Sequence, residues 1–476
     1  MGTNTFKLQV AGITKTTSIE VVEDITFTVQ FERKKDYDGE FGFDFMRDNY
    51  NTISQNYEEL KKEYKDAQIN GAEYFVPYLS MFPKQGGVIL NLKLDIIEGK
   101  ARKDDVIKLP AKDGIKFVPN KVSLKDLQKE HEELEKEKAK GYDGDVSKIN
   151  RTEVKVICEN ELSQDTSIEL LDKNNQPVGE IIVVKNDEVR KLKVKFIKVM
   201  GNEPENKYNQ QTFGQMKSGW VDDTIKDFNN KYFNQAFIEV ENDGLEEMVI
   251  DVEKYEKKGV LEALVIDNIK GIPRYNNGFD KELYKEYIGD DEDYRGVIFF
   301  LSAFQQPDGR EGHAKLYPTE LNYILMTPGS VGSKDVTSYA HELGHTLGLD
   351  HTWATEEENT KRLETIEKTL LKQKTYLEKY KTYPDSTPVK GSTKTLKDVR
   401  ERKNNYIKEL ESEKTSRLTF IPKHPFNKAT TDNVMDYNGY RVSGEENIMN
   451  PHSDGITFWK WQWVIIQNEV KQYHGN

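Results

Sequence analysis

The sequence has a single cysteine in 476 residues, Cys158. One cysteine cannot close an internal disulfide, which excludes a disulfide scaffold, and it cannot build a cysteine zinc ribbon or an iron–sulfur cluster. Cys158 ends the run Val-Lys-Val-Ile-Cys, so the expectation is a buried strand thiol rather than a reactive or zinc-masking one. Long apolar runs are also missing. The best is Gly-Val-Ile-Phe-Phe-Leu at 296–301, far short of the roughly 20 residues a membrane span needs, and it reads as a buried strand. Basic charge is outnumbered, with 69 Lys and Arg against 82 Asp and Glu for a net −13. That balance argues against a nucleic-acid partner, which needs a basic face, and the locally basic stretch 390–403 is read as a solvated helix. Histidine is scarce, with eight in the chain.

What is present suits a folded, multi-domain protein. The chain carries 24 Tyr, 21 Phe and 5 Trp, enough aromatic volume for several cores. The N-terminus has no basic region followed by an apolar stretch, so no secretory signal is read there; a trimmed signal, secretion or delivery by a leaderless route, and a cytoplasmic location all stay open.

Patterning divides the chain into three expected domains. Residues 1–145 read as a β-rich accessory domain with helices, including a polar helix at 54–69 and a charged one at 122–140. Residues 150–201 read as a small β-sandwich-like module of four short strands, because strand patterns and turn signals alternate there. Residues 202–476 turn to mixed α and β, with strands at 236–240, 296–303 and 322–326. Within them, 356–415 stands apart. Leu363, Ile366, Leu370, Leu377 and Tyr380 follow 3/4 spacing, as do Leu396, Val399, Tyr406 and Leu410. Gln373 and Lys403 interrupt the two series. This predicts an inserted antiparallel helical hairpin.

Three of the eight histidines fall within eleven residues, His341-Glu342-Leu-Gly-His345-Thr-Leu-Gly348-Leu-Asp-His351. Composition alone predicts on the order of 0.00003 such H-E-x-x-H-x-x-G-x-x-H matches, so chance is not a competitor. Four residues of helix turn about 400° and rise about 6 Å, so His341 and His345 share one face and can share one metal. Glu342 is rotated about 100° away and reaches a metal-held water rather than the metal. Gly348 lets the chain reverse, which returns His351 to the site. Three neutral imidazoles with an open fourth position describe catalytic Zn2+, and Glu342 is the expected general base. A structural zinc would need a fourth protein ligand and would have no use for Glu342.

This run resembles the metzincin clan of zinc metallopeptidases, over roughly residues 205–476. The resemblance implies an α+β catalytic domain, a methionine turn beneath the zinc, and cleavage of peptide bonds in a protein or peptide substrate. Two methionines compete for the turn. Met435 is followed two residues later by Tyr437, as in the astacin-like, serralysin-like and pappalysin-like branches, where that tyrosine binds the metal or the tetrahedral intermediate. Met449 is followed by Pro451, as in matrix metalloproteinases. Met435 with Tyr437 is preferred, with Met449 as the alternative. The resemblance also implies an edge strand near 312–317 that receives an extended substrate, which would bring His313 near it. It further implies a C-terminal helix carrying Trp459, Trp461 and Trp463.

The long insertion departs from the clan. It either rims the cleft or binds a partner, the plainer alternative being a solvated arm. No complete calcium loop is present, and Asp290, Asp291, Glu292 and Asp293 are expected to form a solvated acidic turn, so Ca2+ has no support. The aromatic run 41–50 is diffusely similar to β-rich modules that precede peptidases in bacterial secreted or contractile-system effectors. The rival reading is a binding or delivery protein on a vestigial peptidase fold. A zinc amidase acting on a non-peptide amide is a third, disfavoured by the elongated cleft an edge strand implies.

Overall fold

The computed structural model describes residues 2–10, 13–21, 25–141, 148–202, 207–214, 216–262, 265–266, 269–270, 272–276, 278–289, 294–306, 312–314, 322–333, 335–353, 356–388, 395–419, 424–436 and 455–474. The chain divides into two compact units. The first is 1–47 with 61–188, and the second is 48–60 with 189–476.

The first unit is β-rich. A four-stranded antiparallel sheet runs in the order Ile115–Val118, Glu153–Cys158, Val88–Glu98, Thr26–Arg33. A six-stranded sheet runs Lys121–Ser123, Val106–Lys108, Thr166–Leu171, Pro177–Val183, Tyr78–Ser80, Gly42–Asp44. The sheets meet closely at Gly179, where a Cβ would stand 2.2 Å from the Val29 carbonyl oxygen. The buried Tyr74 hydroxyl donates to the carbonyls of Val29 (2.9 Å) and Glu180 (3.0 Å), joining the two layers. Cys158 is buried in its strand, and burial pushes its thiol pKa up, as expected of a packed rather than a reactive cysteine.

Two expectations fail in this region. The 150–201 module is not a separate body. Its strand Glu153–Cys158 pairs with Val88–Glu98 and Ile115–Val118, and Thr166–Leu171 and Pro177–Val183 extend a sheet begun by Tyr78–Ser80 and Val106–Lys108. Short strands are locally visible, but their hydrogen-bonding partners are remote, and an edge left open is filled by whichever strand fits. The helix at 54–69 is instead two short helices, Tyr50–Ile53 and Tyr57–Lys61, followed by the hairpin Lys65–Ile69 and Ala72–Val76. The reason is Asn70–Gly71. Both have positive φ (54° and 81°), the two-residue turn that matches strand twist.

The second unit is built on a five-stranded sheet. Its strands are β1 (Arg190–Gly201), β2 (Ile238–Ile250), β3 (Val297–Ser302), β4 (Gly312–Ala314) and β5 (Tyr323–Met326), in the spatial order β2-β1-β3-β5-β4. The first four in that order run parallel, and β4 alone is antiparallel, at the edge beside β5. β3 is buried at every position, as its unbroken apolar run predicts for a strand covered on both faces. β1 belongs here rather than to the module that ended at 201. The helices that matter for the site are α1 (Trp220–Asp227), α2 (Phe279–Ile288), α3 (Val336–Thr346), α4 (Glu356–Lys379), α5 (Leu396–Thr419) and α6 (Lys460–Glu469). The aromatic core under the sheet joins Phe196, Trp220, Phe228, Phe299 and Tyr339, which ties α3 to β1 and β3.

α4 and α5 form the expected antiparallel hairpin around Ile366, Leu370, Tyr406, Ile407 and Leu410. The two polar interruptions face each other, with Lys403 Nζ donating to Gln373 Oε1 at 2.8 Å. Ion pairs Lys374–Glu411 and Lys414–Glu367 fix the same register. Among the described residues no helix is long and apolar enough to cross a membrane.

Candidate metal centre

Helix α3 begins at Asp335, whose carboxylate accepts from the Thr337 N–H at 3.1 Å, a side-chain N-cap. It ends because Gly348 takes φ +88°, with Gly348 N–H donating to His345 O and Leu349 N–H to Gly344 O. That reversal returns the chain past the helix face and delivers His351 beside His345. The ligand-capable atoms of His341, His345 and His351 all lie within 4.8 Å of one another, and Nε2 of His345 and of His351 are 3.2 Å apart. Two nitrogens at about 2.05 Å from a tetrahedral zinc are about 3.3 Å apart, so the closest pair already has ligand spacing.

Protonation follows from the second ring nitrogens. His341 Nδ1 is 2.8 Å from the Val434 carbonyl and His345 Nδ1 is 2.7 Å from the Leu349 carbonyl. A carbonyl only accepts, so each Nδ1 carries the hydrogen and each Nε2 keeps its lone pair for a metal. Burial pushes both pKa values below the ordinary histidine value, and His345 well below it, with the neighbouring His351 and His341 adding to the effect. The imidazoles are therefore neutral and ready to ligate at neutral pH. Three imidazoles within reach of one point, two of them with preset tautomers, fit a zinc ion and leave a position open. His351 is braced differently. Its ring stacks on Trp353 at 4.8 Å, and the Lys428 ammonium lies 4.0 Å from the centre of that indole.

Glu342 lies under the edge strand. A Cβ on Gly312 would stand 2.9 Å from Glu342 Cγ and 3.2 Å from its Oε1, so β4 passes directly over this side chain. His313 follows on the same strand, opposite Leu325. The edge strand is described over 312–314, and residues 315–317 of the expected strand lie outside the described residues.

Met435 is fully buried against α3. A Cβ on Gly344 would be 2.6 Å from its Sδ, so the sulfur fills the space that glycine leaves on the helix between the two histidines. A buried amide network sets this turn. Asn433 Oδ1 accepts from Met435 N–H at 2.9 Å, and Asn433 Nδ2 donates to Gln462 Oε1 at 2.7 Å. Asp436 accepts from the N–H groups of Ala429 and Thr431 and from the Thr431 hydroxyl. Trp459 and Trp463 of the C-terminal segment are buried, and Trp461 packs against His424. Tyr437, Met449 and the acidic run Asp290, Asp291, Glu292, Asp293 lie outside the described residues.

Sequence reasoning missed Gly312, Trp353, Lys428 and the Asn433–Gln462 pair. None has a local pattern that announces it, since each matters through what it meets in space.

No family model and no curated protein matches the chain. Among solved structures the chain is similar to one titled "Structure of a chaperone-substrate complex", at 13% identity and a TM-score of 0.20 over 36% of this chain. The match spans 28% of that chain's length, and so low a TM-score carries no likeness of fold.

Proposed function

We propose that the chain is a zinc-dependent endopeptidase of metzincin type, with His341, His345 and His351 holding the metal. The observation that carries this reading is the convergence of three histidines, two with their Nδ1 hydrogens already committed, beside a glutamate that lies under an edge strand. Zinc bound there supplies a Lewis acid that acidifies a water molecule and polarises a carbonyl.

The chain does the rest. Glu342 accepts the proton of the attacking water and passes it to the leaving amine nitrogen, the two proton transfers that amide hydrolysis needs. β4 is the edge of its sheet, so an extended peptide can add to it through main-chain hydrogen bonds, which brings a scissile carbonyl over Glu342. Tyr437, two residues past Met435, donates its hydroxyl to the oxyanion formed at that carbonyl. Met435 and Gly344 keep the helix and the turn in register beneath the ligands.

The test is cleavage of a complex protein mixture, with new N-termini mapped, with and without a zinc chelator. Glu342→Ala should retain one zinc per chain and lose cleavage by roughly 10²–10⁴-fold. Wild-type cleavage by the metal-loaded variant would remove Glu342 from the mechanism. Absence of any chelator-sensitive cleavage would remove the peptidase reading.

A further inference from the structure

The second unit contains a segment that chain order places among residues of the first. Residues 48–60 depart after Arg47, and the chain rejoins the first unit at Lys61. Within the second unit this segment runs alongside the chain returning from the hairpin insertion. Ser54 and Phe426 form an antiparallel bridge, Gln55 N–H donates to Pro425 O at 2.7 Å, and Asn427 N–H donates to Ile53 O at 2.8 Å. The Gln55 amide adds a bond to Phe426 O at 3.1 Å. Tyr50 anchors the segment. Only 1% exposed, it meets Phe426 and Trp459 edge-on at 5.1 and 6.4 Å, and its hydroxyl accepts from the Trp459 indole N–H at 3.0 Å.

From there the bonding continues inward. Phe426 N–H donates to Thr352 O at 2.7 Å, and Thr352 N–H donates to Met435 O at 3.2 Å. Thr352 directly follows His351. A backbone ladder therefore runs from 53–55 through 425–427 to the residue beside the third ligand, and on to the methionine turn.

His341 and His345 are placed by helix α3, but His351 is not. It sits on irregular chain past Gly348, and soon afterwards the chain leaves for the hairpin of α4 and α5. Closing so long an excursion costs entropy, and the return strand must be held if it is to clamp Thr352. We propose that residues 48–60 are a positioning strap for the third zinc ligand, with Tyr50 as the positioning residue. A part of the N-terminal sequence is then built into the metal centre, and a catalytic domain cut at 189 or 202 would lack it. This rests on the zinc reading above.

The test uses the full chain. Zinc affinity is measured by competition with a chromophoric chelator, and ligand geometry by the visible spectrum of the cobalt(II) form. Tyr50→Ala should weaken zinc binding roughly tenfold to a hundredfold and alter the cobalt spectrum. Tyr50→Phe keeps both ring contacts and loses the hydroxyl that accepts from Trp459, so it should stay within about threefold of wild type. Gln55→Pro removes the N–H that bonds Pro425 at an exposed position whose preceding residue, Ser54, is already extended. It should weaken zinc binding several-fold, and it covers the case in which Tyr50→Ala does not fold. Folded variants with wild-type zinc affinity and cobalt spectrum overturn the strap. A wild-type chain that binds no zinc overturns the metal reading itself.

Discussion

The site depends on single atoms that could not be changed quietly. Gly312 is one. Its Cβ position is 2.9 Å from Glu342 Cγ and 3.0 Å from Met326 Sδ, so Gly312→Ala must displace the Glu342 side chain or lift the edge strand. The expected result is a fall in kcat of roughly tenfold to a hundredfold at unchanged zinc content, read by steady-state kinetics and metal analysis. A second residue makes a prediction about stability. His474 is buried, its Nδ1 lies 3.1 Å from the Arg295 carbonyl, and burial pushes its pKa down from an ordinary 6.5 to about 4. The unfolded chain takes up a proton below about pH 6.5 and the folded chain only below about pH 4. Its contribution to stability is therefore complete above that window and is lost as pH falls through it, on the order of 3 kcal/mol over the whole range. His474→Gln should flatten that part of the profile, measured as denaturant unfolding between about pH 7.5 and about pH 4.5. An unchanged slope would place the titration elsewhere.

At the scale of elements, much was legible. The 3.5-type spacing of 356–415 is realised as α4 against α5, and the two positions that break the pattern, Gln373 and Lys403, satisfy each other. A polar pair at one level of a seam favours one register over its neighbours, because any slip would bury both groups unpaired. Ile366 is at the centre of that seam and fully buried. Ile366→Ala should cost about 2–5 kcal/mol within the hairpin, seen as lost hydrogen-exchange protection over 356–419, with zinc stoichiometry unchanged. Elements whose identity depends on a turn were less legible. The hairpin around Asn70–Gly71 was hidden because the preceding Lys- and Glu-rich residues read as helix, and two positive φ values at the turn override that propensity. Helix α3 was the easiest of all to see, since its N-cap Asp335 and terminating Gly348 bracket the motif.

At the scale of the molecule, the chain crosses between two compact units three times, at 47/48, 60/61 and 188/189. The three histidines lie in the second unit alone. Calorimetry of the full chain should therefore show two transitions, of which zinc raises only one. Free zinc at about one hundred times its dissociation constant adds about 2.7 kcal/mol to that unit, and a chelator removes it. A zinc shift in both transitions, or in neither, would separate the metal from the second unit.

The sequence by itself determined the histidine cluster. A helix of 3.6 residues per turn puts His341 and His345 on one face whatever surrounds them, and Gly348 is needed for the chain to turn back to His351. It determined the hairpin for the same reason, because both are local periodicities. Tertiary structure decided what no local pattern encodes. Strands 153–183 belong with the N-terminal sheets, β1 belongs with the unit that holds the three histidines, and Gly312 lies over Glu342. Residues 48–60, far away in sequence, lie against 425–427. Strand partners and close contacts are chosen by which distant surface completes a hydrogen-bond ladder or fills a void, and that choice is made only when the whole chain is folded.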